Sequence, residues 1–312
     1  MEQREIERLL GGPPRLAYRD IVAHPRLALA RRAYLGQFLK VYGDDPFHAR
    51  LLIETGRFLV YLVVVTLEAM QDPARRETWL TIRRLKEGMA LFGLASDRHI
   101  DALVARLCSV GYMRRRRAEE DRRVQILEPT ERLRVHDCEW IAAHFAPLAA
   151  LYPGYDYAPA LKRDPAFQAV FRRVSPPFMP LGAKLMVAVP EMLLFLNHAG
   201  GYLVIATLLQ AAMEEGGDAS LVAVPYSAVG DRFGVSRTQV RNMLREAEAM
   251  GLVKLHARGG RKVEILPRLI DCHDRGMACG MYIHDMLFVA ARRAEGAPWR
   301  ANERLESAAE PA

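Results

Sequence analysis

No CxxC pair occurs among the four cysteines, Cys108, Cys138, Cys272 and Cys279. That spacing argues against a zinc knuckle or a disulfide framework, and reduced thiols in a cytoplasmic protein are the expectation. The opening "MEQREIERLLGG" is charged and helix-like, unlike a secretory leader. Long apolar runs are also missing. Phe58 to Leu67 is too short to span a bilayer, and Leu185 to Met213 is interrupted by Pro190, Glu191, Asn197, His198 and Gly200-Gly201, so no membrane contact is expected. A P-loop, a GxSxG elbow and an HExxH helix are absent. The two glycines of "HARGGRK" fall in an expected hairpin and do not precede a helix, which removes phosphate cradling. The expectation is a protein that is not an enzyme and needs no cofactor.

What is present is an ordinary globular composition, 51% hydrophobic and 26% charged, over a length that suits two domains. The net charge of +7 favours a polyanionic partner only if the excess is clustered. The strongest internal signal is a repeat. "YLVVVTL" starts at Tyr61 and "YLVIATL" at Tyr202, 141 positions later. The same offset sets Arg31-Arg32 on Arg172-Arg173 and Phe92-Gly93 on Phe233-Gly234, while "HPRLALARR" lies beside "DPAFQAVFRR" with one residue slipped. Further on, Ser96 matches Ser236 and Gly111 matches Gly251 at an offset of 140, and Ile126-Leu127 matches Ile265-Leu266 at 139. Landmarks kept in order with so little drift imply a tandem duplication, residues 16–156 and 157–296, with tails at 1–15 and 297–312. The join falls in "LYPGYDYAPALKRDP", whose prolines and glycine mark a connection.

In the second copy, "VPYSAVGDRFGVSRTQVRNMLREAEAMGLVKLHARGGRKVEIL" reads as a short helix, a turn at Gly234, a second helix and a hairpin. Ser236 with Gln239 three residues later is a capping box, and Val240, Met243, Leu244 and Ala247 form one buried stripe. Gly251 ends the helix, and "LVKLHA" and "RKVEIL" alternate around "RGGR" as hairpin strands do. This order resembles a winged helix-turn-helix, a fold that lays its second helix in the DNA major groove. On that reading Arg237, Thr238, Gln239, Arg241, Asn242 and Arg245 face the bases, since Arg suits guanine and Asn or Gln suits adenine. Arg258, Arg261 and Lys262 would extend the wing along the backbone. The plainer alternative is a solvated basic helix in a protein-binding module.

In the first copy, "VARLCSVGYMRRRRAEEDRRVQILEPTERL", Val104 to Leu133, resembles the MarR family of bacterial transcriptional regulators. The likeness rests on a helix ended by Gly, a basic strand, and a wing signature supplied by Asp121-Arg122-Arg123. The glycine that closes the family's pattern is missing after "LEPTERL". The resemblance implies a mainly α fold with two small β-hairpin wings. Because family members dimerise through terminal helices, two MarR-like units in one chain imply an intramolecular pseudo-dimer, monomeric in solution. Helices near Leu27 to Tyr42, Trp140 to Leu151, Phe167 to Leu196 and Met281 to Arg293 would then form the shared core. Members commonly bind small phenolic ligands, but these residues assign no effector.

The two copies differ where they would meet DNA. Ile100, Leu103, Val104 and Leu107 repeat the apolar stripe, yet Asp97, Asp101, Ala102 and Ala105 stand opposite Arg237, Arg241, Asn242 and Arg245. Arg98, His99 and Arg106 remain as a secondary reading set. Charge is concentrated instead in the wing, at Arg114, Arg115, Arg116, Arg117, Arg122 and Arg123, where it suits phosphate or minor-groove tracking, or simply a charged strand edge. The function expected is a sequence-specific regulator of transcription that binds double-stranded DNA at an asymmetric site. A plasmid-type replication initiator and an interaction module without DNA binding are the alternatives. "VHDCEW" and "DCHD" invite a metal or redox reading, but neither spacing aligns ligands on a helix, and no metal is expected.

Overall fold

The computed structural model describes residues 3–43, 55–90, 92, 95–214, 221–223, 226–256 and 262–296. Its elements run twice in similar order. The first half contains α1 (Gln3–Leu10), α2 (Tyr18–Val22), α3 (Leu27–Tyr42), α4 (Thr55–Ala69), α5 (Ile82–Ala90) and α6 (Asp97–Ser109). The hairpin of β1 (Met113–Arg117) and β2 (Gln125–Pro129) follows, and α7 (Glu131–Leu151) ends the half. The second half contains α8 (Ala158–Leu161), α9 (Pro165–Val174), α10 (Met179–Val187), α11 (Pro190–Asn197), α12 (Gly201–Glu214), β3 (Leu221–Ala223), α13 (Tyr226–Phe233) and α14 (Arg237–Ala249). Strands β4 (Val253–His256) and β5 (Lys262–Ile265) precede the long α15 (Pro267–Ala294). The fold is thus mainly helical with two small antiparallel sheets, as the sequence suggests.

Burial decides the helices more than propensity does. The first repeated word lies inside α4, where Val60, Tyr61, Val63, Val64 and Val65 are buried, so a β-branched run is held helical by its surroundings. Its counterpart lies in α12, with Tyr202 through Ala206 buried. Each of these helices packs against the opposite half: α4 against α9, and α12 against α3. One continuous apolar core results, drawing on both halves. Among the described residues no single helix is long and apolar enough to cross a membrane.

Three buried arginine–aspartate pairs cross between the halves among the described residues, and two of them are reciprocal. Asp137 of α7 receives Arg172 of α9 as a fork, Nε to Oδ2 at 3.0 Å and Nη2 to Oδ1 at 2.5 Å. Gln168 and the hydroxyl of Tyr61 also donate to it, so a carboxylate with no solvent exposure is fully satisfied. In the reverse sense, Asp274 of α15 receives Arg31 of α3, Nε to Oδ1 and Nη2 to Oδ2, both at 2.7 Å. Tyr202, the counterpart of Tyr61, meets Nε2 of the neighbouring His273 at 3.1 Å. The "HD" of each long helix is therefore a pairing motif: each aspartate takes the other half's arginine, while the repeated word supplies a tyrosine beside it.

Several details differ from the sequence-based expectations. The residues expected to form an N-terminal tail, 1–15, include α1, whose Ile6 and Leu10 are buried; α1 packs on α15, and Arg15 pairs with Asp285. The tail at 297–312 lies outside the described residues. The core helix expected around Trp140 begins at Glu131, and the one expected around Met281 begins at Pro267. The span Phe167 to Leu196 is divided, because Pro176 and Pro177 lack the N–H groups that would continue α9. A 3-10 turn, Pro176–Phe178, redirects the chain into α10 and α11. Strand β3 has no counterpart in the sequence-based expectations; it gives the second sheet the order β3-β5-β4. In the first half a single bond, Leu127 N–H to the Leu80 carbonyl at 2.7 Å, occupies that place.

Removing one partner of the Arg172–Asp137 pair leaves a charge stranded in the core. Arg172→Leu should cost about 3–5 kcal/mol in urea unfolding, and adding Asp137→Leu should recover most of it. Acid should act through the same carboxylates. Burial pushes both upward, but Arg172 on Asp137 and Arg31 on Asp274 hold them below their ordinary 3.8. Their contribution is complete above that value and is lost as pH falls through the depressed folded values. Unfolding midpoints measured against pH should drop below about pH 4 in the native chain and drop less in the Leu–Leu double variant.

Candidate nucleic-acid interface

The turn between α13 and α14 is tight for a reason visible in its glycines. A Cβ on Gly230 would lie 2.4 Å from the Val235 carbonyl oxygen, and Gly234 has a φ of +65°. Ser236 then caps α14: its Oγ accepts the Gln239 N–H at 3.2 Å, and Gln239 Oε1 accepts the Ser236 N–H at 3.0 Å. The stripe Val240, Met243, Leu244 and Ala247 is buried as expected. Arg237, Thr238, Gln239, Arg241, Asn242 and Arg245 are all exposed on the other face.

The charge on that face is one-sided. None of Arg237, Arg241 and Arg245 has a carboxylate partner among the described residues. The acids of α14 are drawn away: Glu248 accepts the Leu255 N–H at 2.7 Å, and Glu246 lies 3.8 Å from His198 of the α11–α12 connection. Gln239 is more constrained than its residue type suggests. Its oxygen is committed to the cap, so only its Nε2 donors are available outward, and paired recognition of adenine needs both ends of the amide. Lys262 is exposed on β5, and beside it His256 meets Glu264 at 2.6 Å. Arg258 and Arg261 lie outside the described residues.

The corresponding helix of the first half, α6, has a different surface. Ser96 caps it, accepting the His99 N–H at 3.3 Å. Arg98, Asp97, Asp101, Ala102, Ala105 and Arg106 are exposed, and His99 is half-buried. Lys86 of α5 bridges the two carboxylates, at 2.8 Å from Asp101 and 3.5 Å from Asp97. The acidic face is thereby partly neutralised, through a lysine that no sequence motif singles out.

The arginine wing divides into two sets. Arg114 lies opposite Glu128 in the strand register and grips it as a fork at 2.9 and 2.7 Å, with Arg116 at 3.7 Å from the same carboxylate. The Arg114 hydrogen bond holds the Glu128 carboxyl below its ordinary range despite partial burial. Arg115, Arg117, Arg122 and Arg123 are exposed and carry no ion pair among the described residues. The tip is fixed from behind: Asp121 accepts the Arg123 N–H at 3.0 Å and an Arg76 guanidinium N–H at 2.7 Å. Under the hairpin, Trp79, Ala118 and Ile126 make a small apolar cluster of their own. In the sequence all six arginines look alike; Glu128, eleven residues beyond Arg117, separates them through cross-strand pairing.

The cysteines carry no visible chemistry. Cys138, Cys272 and Cys279 are buried and Cys108 is half-buried, all as free thiols. Burial pushes the Cys138 thiol up to about 12, away from a reactive thiolate. Among the described residues no three His, Cys, Asp or Glu side chains gather as a metal would require. No known family model, curated protein or solved structure matches the chain.

The capping box fixes the first turn of α14, which carries most of the exposed polar set. Ser236→Ala should destabilise that turn by about 1 kcal/mol, read as faster amide exchange at residues 237–240 with α15 unaffected.

Proposed function

We propose that the chain is a sequence-specific double-stranded DNA-binding regulator of transcription. In this reading, two MarR-like winged helix-turn-helix units form a single-chain pseudo-dimer that contacts an asymmetric site. The observation that carries the reading is α14: a capped helix beside a hairpin, with three exposed arginines, Thr238 and Asn242 on one face and its own acids turned elsewhere. Those side chains are the types that read base edges and neighbouring phosphates in a major groove. The crossed ion pairs support the pseudo-dimer, because an isologous contact makes every interaction twice with the partners exchanged.

The halves have different roles in this proposal. The α14 head reads sequence, with Arg237, Arg241 and Asn242 as the main contacts and Gln239 as a donor only. The first head holds backbone through Arg115, Arg117, Arg122 and Arg123, while α6 adds Arg98, with His99 and Arg106 at its edge. Lys86 keeps Asp97 and Asp101 from repelling phosphate at full strength.

Chromatin occupancy mapped across the genome should concentrate at promoters; concentration at iterated origin repeats would indicate a replication initiator instead, and no occupancy would indicate an interaction module. In a binding assay, Arg237→Ala with Arg241→Ala should erase about 1–3 kcal/mol of discrimination for each base pair that is no longer read. An equal loss on cognate and random duplexes would contradict the assignment of reading to α14. Arg115→Ala with Arg117→Ala should weaken both duplexes alike and make the salt dependence shallower by about 0.9 for each phosphate that is no longer neutralised. Arg114→Ala, whose charge is already paired with Glu128, should do so less.

A further inference from the structure

The outer edge of the first hairpin is open in a way that the second is not. Three hydrogen bonds fix which backbone groups of β1 face outward. The Thr130 N–H donates to the Tyr112 carbonyl at 2.9 Å, and the Ala118 N–H donates to the Val124 carbonyl at 3.0 Å. The Leu127 N–H turns away from β1, to the Leu80 carbonyl at 2.7 Å. Tyr112 and Ala118 therefore fall in the hydrogen-bonded set of the ladder with Arg114 and Arg116, while Arg115, opposite Leu127, falls in the other set. The N–H and C=O groups of Arg115 and Arg117 consequently point away from β2, along the unpaired edge of a two-stranded sheet. The Arg117 carbonyl accepts Arg116 Nη1 at 3.4 Å. The backbone N–H groups of Arg115 and Arg117 have no acceptor among the described residues.

The second hairpin shows how such an edge is closed. Its outer strand is β4, where Leu255 holds the place of Arg115 at the offset of 140 that also relates Ser96 to Ser236. The outward N–H of Leu255 is covered, because Glu248 on the last turn of α14 accepts it at 2.7 Å. At the same offset, the place of Glu248 is held by Cys108 on the last turn of α6, which has no carboxylate to offer. The side chains of β1 add a second difference. Arg115 and Arg117, two residues apart, share one face of the strand, are exposed and carry no ion pair among the described residues. Arg114 and Arg116, on the other face, are drawn to Glu128. Like charge deters a second copy of this strand from pairing at the edge, whereas an acidic strand is attracted to it.

From this edge we infer that β1 is a docking strand for an extended acidic peptide of a partner protein, added antiparallel along Arg115 to Arg117. Residues of the added strand that lie opposite Arg115 and Arg117 exchange N–H and C=O bonds with them and place their own side chains on the arginine face. The pattern that fits is therefore Glu-x-Glu or Asp-x-Asp. Backbone bonds give the peptide its register, and the two unpaired guanidinium groups give it its preference for acid. The inference stands whether or not the chain binds DNA, although the peptide occupies two of the arginines that the proposed function assigns to phosphate.

The test uses the full chain and the fluorescein-labelled peptide Thr-Glu-Val-Glu-Thr, followed by anisotropy. Saturable one-site binding is expected, and methylating the two glutamate nitrogens of the peptide should weaken it by about tenfold or more. Arg115→Pro removes an outward N–H but no ladder bond, so it should keep the fold and weaken binding more than Arg115→Gln, which removes the charge alone. Cys108→Glu should also weaken binding, by giving α6 the carboxylate with which α14 covers its own edge strand. Should Arg115→Pro not fold, amide exchange in the native chain makes the same test: saturating peptide should slow Arg115 and Arg117 by about tenfold or more. Absence of saturable binding, or unchanged exchange at Arg115 and Arg117, would overturn the inference. Equal binding of the methylated peptide would also overturn it, marking these arginines as a general polyanion surface suited to phosphate.

Discussion

The constraint on which the long helices depend is a reciprocal set of two arginine–aspartate pairs, Arg172–Asp137 and Arg31–Asp274, that cross between the halves. A buried ion pair gives little net stability against an apolar replacement, since desolvating both charges offsets most of their attraction. What it does give is a heavy cost for any arrangement that separates the partners. With Arg172 on Asp137 and Arg31 on Asp274, the only association that satisfies both is the one in which α9 meets α7 and α3 meets α15 reciprocally. The apolar faces around them, rich in interchangeable Leu, Val and Ala, are less selective. The pairs therefore set the register of the core, and the core sets where α6 and α14 sit.

A symmetric frame does not impose symmetric surfaces. Buried stripes are constrained by packing in both heads, so Ile100, Leu103, Val104 and Leu107 match Val240, Met243, Leu244 and Ala247 in place and character. Exposed positions are free of that constraint. On α14 the acids are tied back to β4 and the α11–α12 connection; on α6 the acids stay on the front, compensated by Lys86. The same freedom appears in the core at Ser175-Pro176-Pro177, where one half breaks a helix that the other continues, and the space between the halves is bounded by the diverted segment.

Much of this was legible in the sequence because it depends on local rules. The capping box at Ser236 and Gln239, the apolar stripes and the two hairpins each follow from residues within a few positions, and they occur where spacing predicts them. The missing parts depend on distant partners. "HD" at His136-Asp137 and at His273-Asp274 gave no sign of its role, because the arginines that complete it lie 35 and 243 positions away. Glu128 divides the arginine wing through strand register, and Lys86 reaches α6 from another helix. Strand β3, three residues long, carries too short an alternation to stand out from its surroundings.

In the proposed function, one chain reads one half-site by sequence and holds the other by charge. Its most direct test is selection of bound duplexes from a random library, followed by sequencing. A single informative half-site is expected, flanked about one helical turn away by a contacted segment with little sequence preference. Two equally informative half-sites in a palindrome, or no enrichment at all, would contradict it.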